Sequence, residues 1–387
     1  MKKFLQFVSY VLVAALASFG TLMFSAMNPP APEAPSKLVE LADLIGDRFI
    51  GEYDPVEMED AAARAMIASL GDRWSYYISA AEYDAYLQSM KNTYVGVGIT
   101  ITVREDQKGF DIVQVAEGGS AAEVGILPGD ILIGADGQTF EGMTTTEASV
   151  IVRGEAGSSV ELTVLRGEEE LTFTAIRRVI RTIVAKGQML PGDIGLVTIE
   201  NFEGRCAEEA IAAIDALVAQ GAKALIFDVR NNPGGYVSEL CKVLDHLLPE
   251  GDLFHSEYFD GTESKETSDA KCIDLPLAVL VNGDSYSAAE FFAAAIREYE
   301  AGFVVGTQTC GKGYFQTVME LRDGSAVGLS IGKYYTPKGV SLAEAGGLIP
   351  DVVVEVDEQT YAAIAADLLA PELDPQLQAA MEKLNQE

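Results

Sequence analysis

Apolar and polar positions along the chain change their period several times. From Phe4 to Met27 the residues are uncharged and mostly apolar, a run long enough to cross a bilayer, which takes about 20 residues of helix. In "LVELADLIGDRFIGEYDPVEMEDAAARAMIASLGD" apolar residues recur three and four positions apart, and Asp54-Pro55 opens a second run. That spacing lines one face of a helix, so 37–92 is expected to be a helical region of two or three short amphipathic helices. Between 93 and 178, "YVGVGITITV" and "GSSVELTVLRGEEELTFTAIR" alternate in strand fashion, with Gly-rich turns and two short helical patterns between. Beyond 192 the apolar runs "DIGLVTIENF", "AKALIFDVR", "PLAVLVNG" and "GFVVGT" alternate with helices such as "RCAEEAIAAIDALVAQG" and "SAAEFFAAAIREYE". Strand-helix-strand alternation predicts an α/β core over 179–357 with a largely parallel sheet, whose ligands sit at the carboxyl ends of the strands. A helical segment at 358–387 closes the chain.

Composition narrows the partners. With 387 residues, 48% of them hydrophobic, the chain can build two or three proper cores. A formal net charge of -32 makes nucleic acid and anionic membrane surfaces poor partners by electrostatics. Lys2 and Lys3 precede the apolar run and a Pro-rich linker follows at 29–36. Phe24-Ser25-Ala26 is a mediocre cleavage site, so residues 1–28 read as an uncleaved signal anchor, with a cleaved signal as the alternative, and the rest of the chain outside the cell. This predicts a single-pass protein of the cell membrane with its catalytic part extracytoplasmic. Cys206, Cys241, Cys272 and Cys310 fit no zinc spacing, and either disulfides or buried thiols are compatible with their number. His246 and His255 are the sole histidines, too few for a histidine-rich metal site.

The Gly-x-Gly-Ile loop from Gly96 to Ile99, "GILPGDILIGADG" at 125–137 and the helix "TTTEASVIVRG" resemble a PDZ domain, expected at 93–178. Such domains add a peptide C-terminus as a strand beside a glycine loop whose N–H groups hold the carboxylate. The resemblance implies peptide binding at Val95, Gly96, Val97, Gly98 and Ile99.

Three strand ends carry unusual sequence: "FDVRNNPGGYVSEL", "VNGDSYSAAE" and "GTQTCGKGYFQT". Together with "LGDRWSYYISAAEY" and the closing "GLIPDVVVE", they resemble the C-terminal processing (tail-specific) peptidases, PDZ-containing serine proteases with a Ser-Lys dyad. The expected fold is thus multidomain α/β: N-terminal membrane anchor, helical region, and a PDZ domain inserted before an α/β protease core. The resemblance implies that Ser287 is the nucleophile, Lys312 the general base and Gln316 its orienting partner. It also implies oxyanion donors from Ala288 and from Gly234 or Gly235, and no metal or cofactor. Tyr286, Ala289 and Cys310 depart from the family's usual residues. Ser285, the rival serine, is expected to serve the turn.

The chemistry follows from the residue types. A serine hydroxyl needs a neighbour to take its proton. A lysine whose ordinary pKa is about 10.4 can do so near neutrality only after a drop of about three units, within what burial supplies. A glutamine oxygen accepts from that lysine without adding charge. Exposed C-termini of proteins or peptides are the expected substrates, and the two helical segments could form a homodimer interface. An inactive PDZ scaffold is the alternative, and a Ser-His-Asp hydrolase would have to use His246 or His255.

Overall fold

A computed structural model describes residues 36–386 apart from 105 and 117. The expected anchor at 1–28 lies outside the described residues. Among these residues no helix is long and apolar enough to cross a membrane. The described residues divide into two compact units, one ending at Ala61 and the other beginning at Ala62.

Near the start, Ser36 Oγ caps the helix Lys37–Arg48 by accepting from Val39 N at 3.4 Å. Asp54 Oδ1 accepts from Val56 N at 2.8 Å at the start of the helix Pro55–Ala68, the cap that Asp54-Pro55 signals. The region expected to be helical to residue 92 is interrupted by a strand, Tyr76–Ile78, before the helix Ala80–Ser89. This strand pairs antiparallel with Ala326–Tyr335, Tyr76 opposite Gly328. A Cβ at Gly328 would lie 2.5 Å from the Tyr76 ring, so the pairing is a long-range fit that three residues of local pattern cannot announce.

In the segment read as a PDZ domain, the strands Ile99–Val103, Phe110–Val115, Ile131–Ala135, Ser159–Arg166 and Glu169–Ile176 follow in one antiparallel sheet. Alternation along Ser159–Arg166 buries Val160, Leu162 and Val164 against Phe110, Leu132 and Phe140. The helix Thr145–Val152 starts with a capping box in which Thr144 N donates to Glu147 Oε2 at 2.8 Å. The strands Thr93–Gly96 and Arg178–Arg181, where the chain enters and leaves, pair with each other.

The core sheet runs Ala185–Leu190, Ile194–Ile199, Ala224–Asp228, Leu277–Val281, Gly302–Gly306, Val352–Val353 in spatial order. Its first pair is antiparallel and the rest are parallel. Val197, Phe227, Val279 and Val281 pack with Ile214 of the helix Cys206–Ala219, Leu244 of Val237–Leu247 and Phe292 of Ala288–Glu298. On the opposite face Leu196, Ile226, Leu280 and Val305 pack with Leu377, Ala380 and Leu384 of the helix Pro375–Leu384. Both faces are covered, which is why these strands read as unbroken apolar runs. A second sheet, absent from the α/β alternation, joins Tyr76–Ile78, Ala326–Tyr335, Gly251–Tyr258 and Glu263–Ser268, with Tyr314–Glu320 also on Ala326–Tyr335. All four cysteines are free, Cys206 and Cys241 within the core.

Candidate active site

The strand Leu277–Val281 leads into Asn282, which is buried, while Gly283 and Asp284 of the same turn are exposed. Asn282 Oδ1 accepts from Asn231 N at 2.9 Å and from Asp284 N at 3.1 Å, tying this turn to the one after Ala224–Asp228. Ser285 is fully buried; its Oγ donates to Val229 O at 2.7 Å and accepts from Asn282 N at 3.0 Å. It serves the turn, as expected. Ser287 caps the helix Ala288–Glu298 with φ 59° and ψ −126°, a conformation that costs a non-glycine residue roughly 1–3 kcal/mol and persists only where the surroundings impose it. Here Tyr286 N donates to Asn232 O at 3.1 Å and Ser287 N to Glu290 Oε2 at 2.9 Å.

Glu290 joins this turn to the one carrying Lys312. Its buried carboxylate accepts from Ser287 N, Thr309 Oγ1 (2.5 Å), Gly311 N (2.7 Å) and Lys312 N (2.8 Å). Burial pushes its pKa up while these donors hold it down. Lys312 Nζ lies 4.7 Å from the centroid of the Trp74 ring and 5.9 Å from that of Tyr286. Burial pushes the lysine pKa down, opposed by Asp72, Cys310, Glu290 and Glu203.

Ser287, Lys312, Gln316, Gly235 and Glu203 line one cleft of about 510 Å³ with Tyr76, Tyr83, Tyr86 and Tyr236. The expected hydrogen bond from Lys312 Nζ to Gln316 Oε1 is not formed among the described residues. Gln316 Nε2 donates instead to Ser330 Oγ at 2.9 Å and Tyr314 O at 3.3 Å, because the strand Tyr314–Glu320 pairs with the strand holding Ser330. The two glycines left open by sequence differ. Gly234 N donates to Asn232 Oδ1 at 2.8 Å, whereas Gly235 N and Ala288 N have no acceptor among the described residues. A Cβ at Gly235, φ 147°, would lie 2.3 Å from Phe202 C.

His246 pairs with Asp215 at 2.9 Å and His255 with Asp252 at 3.2 Å, and neither lines this cleft. The Ser-His-Asp reading therefore fails. Gly96, Val97, Gly98 and Ile99 line a groove of about 340 Å³ with Thr145, Ser149 and Arg153. Val97 N and Gly98 N make no hydrogen bond among the described residues. Val95 faces the neighbouring cleft instead, with Asn201 and Glu203, since alternation along a strand sends successive side chains to opposite sides. Sequence reasoning did not find Asn232, Asn282, Trp74 or Glu203. The asparagines read as ordinary turn residues, Trp74 carried no motif role of its own, and Glu203 is one of 59 acidic residues with no pattern around it.

Residues 193–354 match the model of peptidase family S41, and 112–166 match that of a PDZ domain. The chain is 30% identical to a photosystem II D1 C-terminal processing protease of known structure over 76% of its own length and 81% of that chain, with a TM-score of 0.48. The chain belongs to peptidase family S41. It is a serine-type peptidase with a mixed α/β core and an inserted PDZ domain. Among S41 relatives it is 29% identical to the carboxy-terminal processing protease CtpA of Bacillus subtilis, covering 92% of this chain and 79% of the relative. A putative S41 protease from Bacteroides fragilis shares the fold at 16% identity and a TM-score of 0.57, covering 92% of this chain and 93% of that one.

Proposed function

We propose that the protein is an exported endopeptidase that takes protein C-terminal tails into the PDZ groove and hydrolyses peptide bonds with a Ser287–Lys312 dyad. The observation that carries the dyad is the four-donor Glu290 carboxylate, which holds the backbone N–H groups of both residues at 2.9 and 2.8 Å. One buried carboxylate thereby keeps the strained serine turn and the lysine turn on one cleft. Neutral Lys312 takes the proton of Ser287 Oγ as it attacks the carbonyl carbon. The lysine then returns that proton to the leaving amine, and water releases the acyl group by the same route. Gly235 N–H and Ala288 N–H, both uncommitted, stabilise the oxyanion. Tail recognition is supported by the free N–H groups of Val97 and Gly98 in the groove, and export by the uncharged run from Phe4 to Met27 behind two lysines.

The test is a peptide-hydrolysis assay on separate variants. Ser287→Ala should abolish turnover while tail binding persists, because the hydroxyl enters only the chemical step. Lys312→Arg should be equally inactive, since arginine does not deprotonate. Turnover by either variant at a tenth of the normal rate or more would reject the dyad.

A further inference from the structure

Glu203 follows Phe202, the residue bridged to Gly235, and its side chain lines the cleft that holds Ser287 and Lys312. Among the described residues its Oε2 is the buried side-chain atom without a hydrogen-bond partner, although its backbone N–H is held by Asn201 Oδ1 at 2.9 Å. A buried carboxylate with no donor is costly as an anion unless a cation faces it. Lys312 lines the same cleft. Tyr76 and Tyr86 flank this space from the strand Tyr76–Ile78 and the helix Ala80–Ser89, and Tyr236 from the turn after Gly235. The Glu203 charge also acts on Cys206, Arg205 is paired with Glu209, and Arg153 lines the adjoining cleft. Asp72, Cys310 and Glu290 also act on Lys312.

We propose that Glu203 is a positioning residue for Lys312 whose ionised carboxylate holds the lysine in its ammonium form, so that Glu203 sets the pH at which the base becomes available. The proposal rests on the reading of Lys312 as the base. Burial pushes Glu203 up to about 7, with Lys312 opposing. Burial pushes Lys312 down, with Glu203 among the anions that oppose. Two groups that shift each other in one desolvated cleft titrate as a pair. Replacing the carboxylate by an amide removes the anion that favours the ammonium, so the lysine loses its proton at lower pH and the acid limb of the kcat/KM profile moves down.

The experiment has two arms. In the first, kcat/KM is followed against pH for the full chain, Glu203→Gln and Glu203→Asp. The Gln variant should move the acid limb down on the order of one pH unit, the usual scale of a nearby charge, and the Asp variant, which keeps the charge, by less. In the second, lysines are reductively methylated with a 13C label in the inactive Ser287→Ala protein. The Lys312 resonance is assigned by its loss in Lys312→Arg, then titrated with and without Glu203→Gln. A downward move of that resonance supports the coupling, and an unchanged midpoint overturns it. If the resonance moves while the acid limb stays, it is the reading of Lys312 as the base that fails. Glu203→Ser provides the same comparison should the glutamine variant not fold.

Discussion

Two carboxylates near the active site, the buried Glu290 and the half-buried Glu203, sit under different conditions. Glu290 is surrounded by four donors, whereas one oxygen of Glu203 has none. The second arrangement has a consequence for stability. The folded pKa of Glu203, about 7, lies above its ordinary 4.5, so the folded protein binds this proton more tightly than the unfolded chain. The resulting stabilisation is complete below pH 4.5 and is lost as pH rises to 7, a difference of roughly 3 kcal/mol at about 1.4 per unit. Glu203→Gln carries no such dependence. Its stability relative to the natural chain, from urea unfolding, should be more favourable at pH 8 than at pH 4 by roughly 2–3 kcal/mol. An equal difference at the two pH values would mean that folding does not raise the pKa of Glu203.

At the scale of elements, the site consists of turns that leave parallel strands and are laced together by side chains. The Gly-Gly turn has no room: a Cβ on Gly235 would meet Phe202 C at 2.3 Å and Phe202 O at 2.4 Å. Gly235→Ala must therefore push the turn away from Phe202, dislodging its uncommitted N–H. Its expected effect is a fall in kcat of about 100-fold or more, the cost of losing an oxyanion donor, with KM for short peptides much less changed. A fall confined to KM would assign Gly235 to substrate binding alone. The Asn-Asn-Pro-Gly-Gly stretch was legible in sequence as a special turn. Which glycine offers a free N–H was not, because that depends on Asn232 Oδ1 reaching Gly234 N at 2.8 Å.

For the whole molecule, the PDZ groove and the catalytic cleft adjoin a shared space of about 970 Å³. Tyr94, Val95 and Arg153 line it from the PDZ side and Asn201, Glu203 and Pro233 from the core. Arg153 and Tyr94 line the groove as well, and the guanidinium sits 5.6 Å from the centroid of that ring. A ligand that favours one arrangement of these residues shifts the population of the catalytic cleft accordingly. A tail peptide without a cleavable segment should then stimulate hydrolysis of a separate reporter at concentrations below those at which it competes for the groove. Ser149→Trp, which fills the groove, should abolish the stimulation. Inhibition at every peptide concentration would leave the PDZ domain as a tether that raises local substrate concentration.

The sequence by itself determined the parallel core, because strands buried on both faces need unbroken apolar runs such as "ALIFD" and "LAVLV". It also determined the PDZ strands, whose alternation matches a half-buried sheet, and the turn role of Ser285. Tertiary structure decided what depends on partners far along the chain. The pairing of Tyr76–Ile78 with Ala326–Tyr335 spans some 250 residues and leaves no local period. Gln316 faces Ser330 because its strand pairs there. Asn282 is buried because a second turn packs on it. The environment of Glu203 arises only when the Phe202–Gly235 bridge brings it to the cleft of Lys312. Sequence period records which face of an element is buried; it does not record which side chains meet across elements, and the titration of this site depends on those meetings.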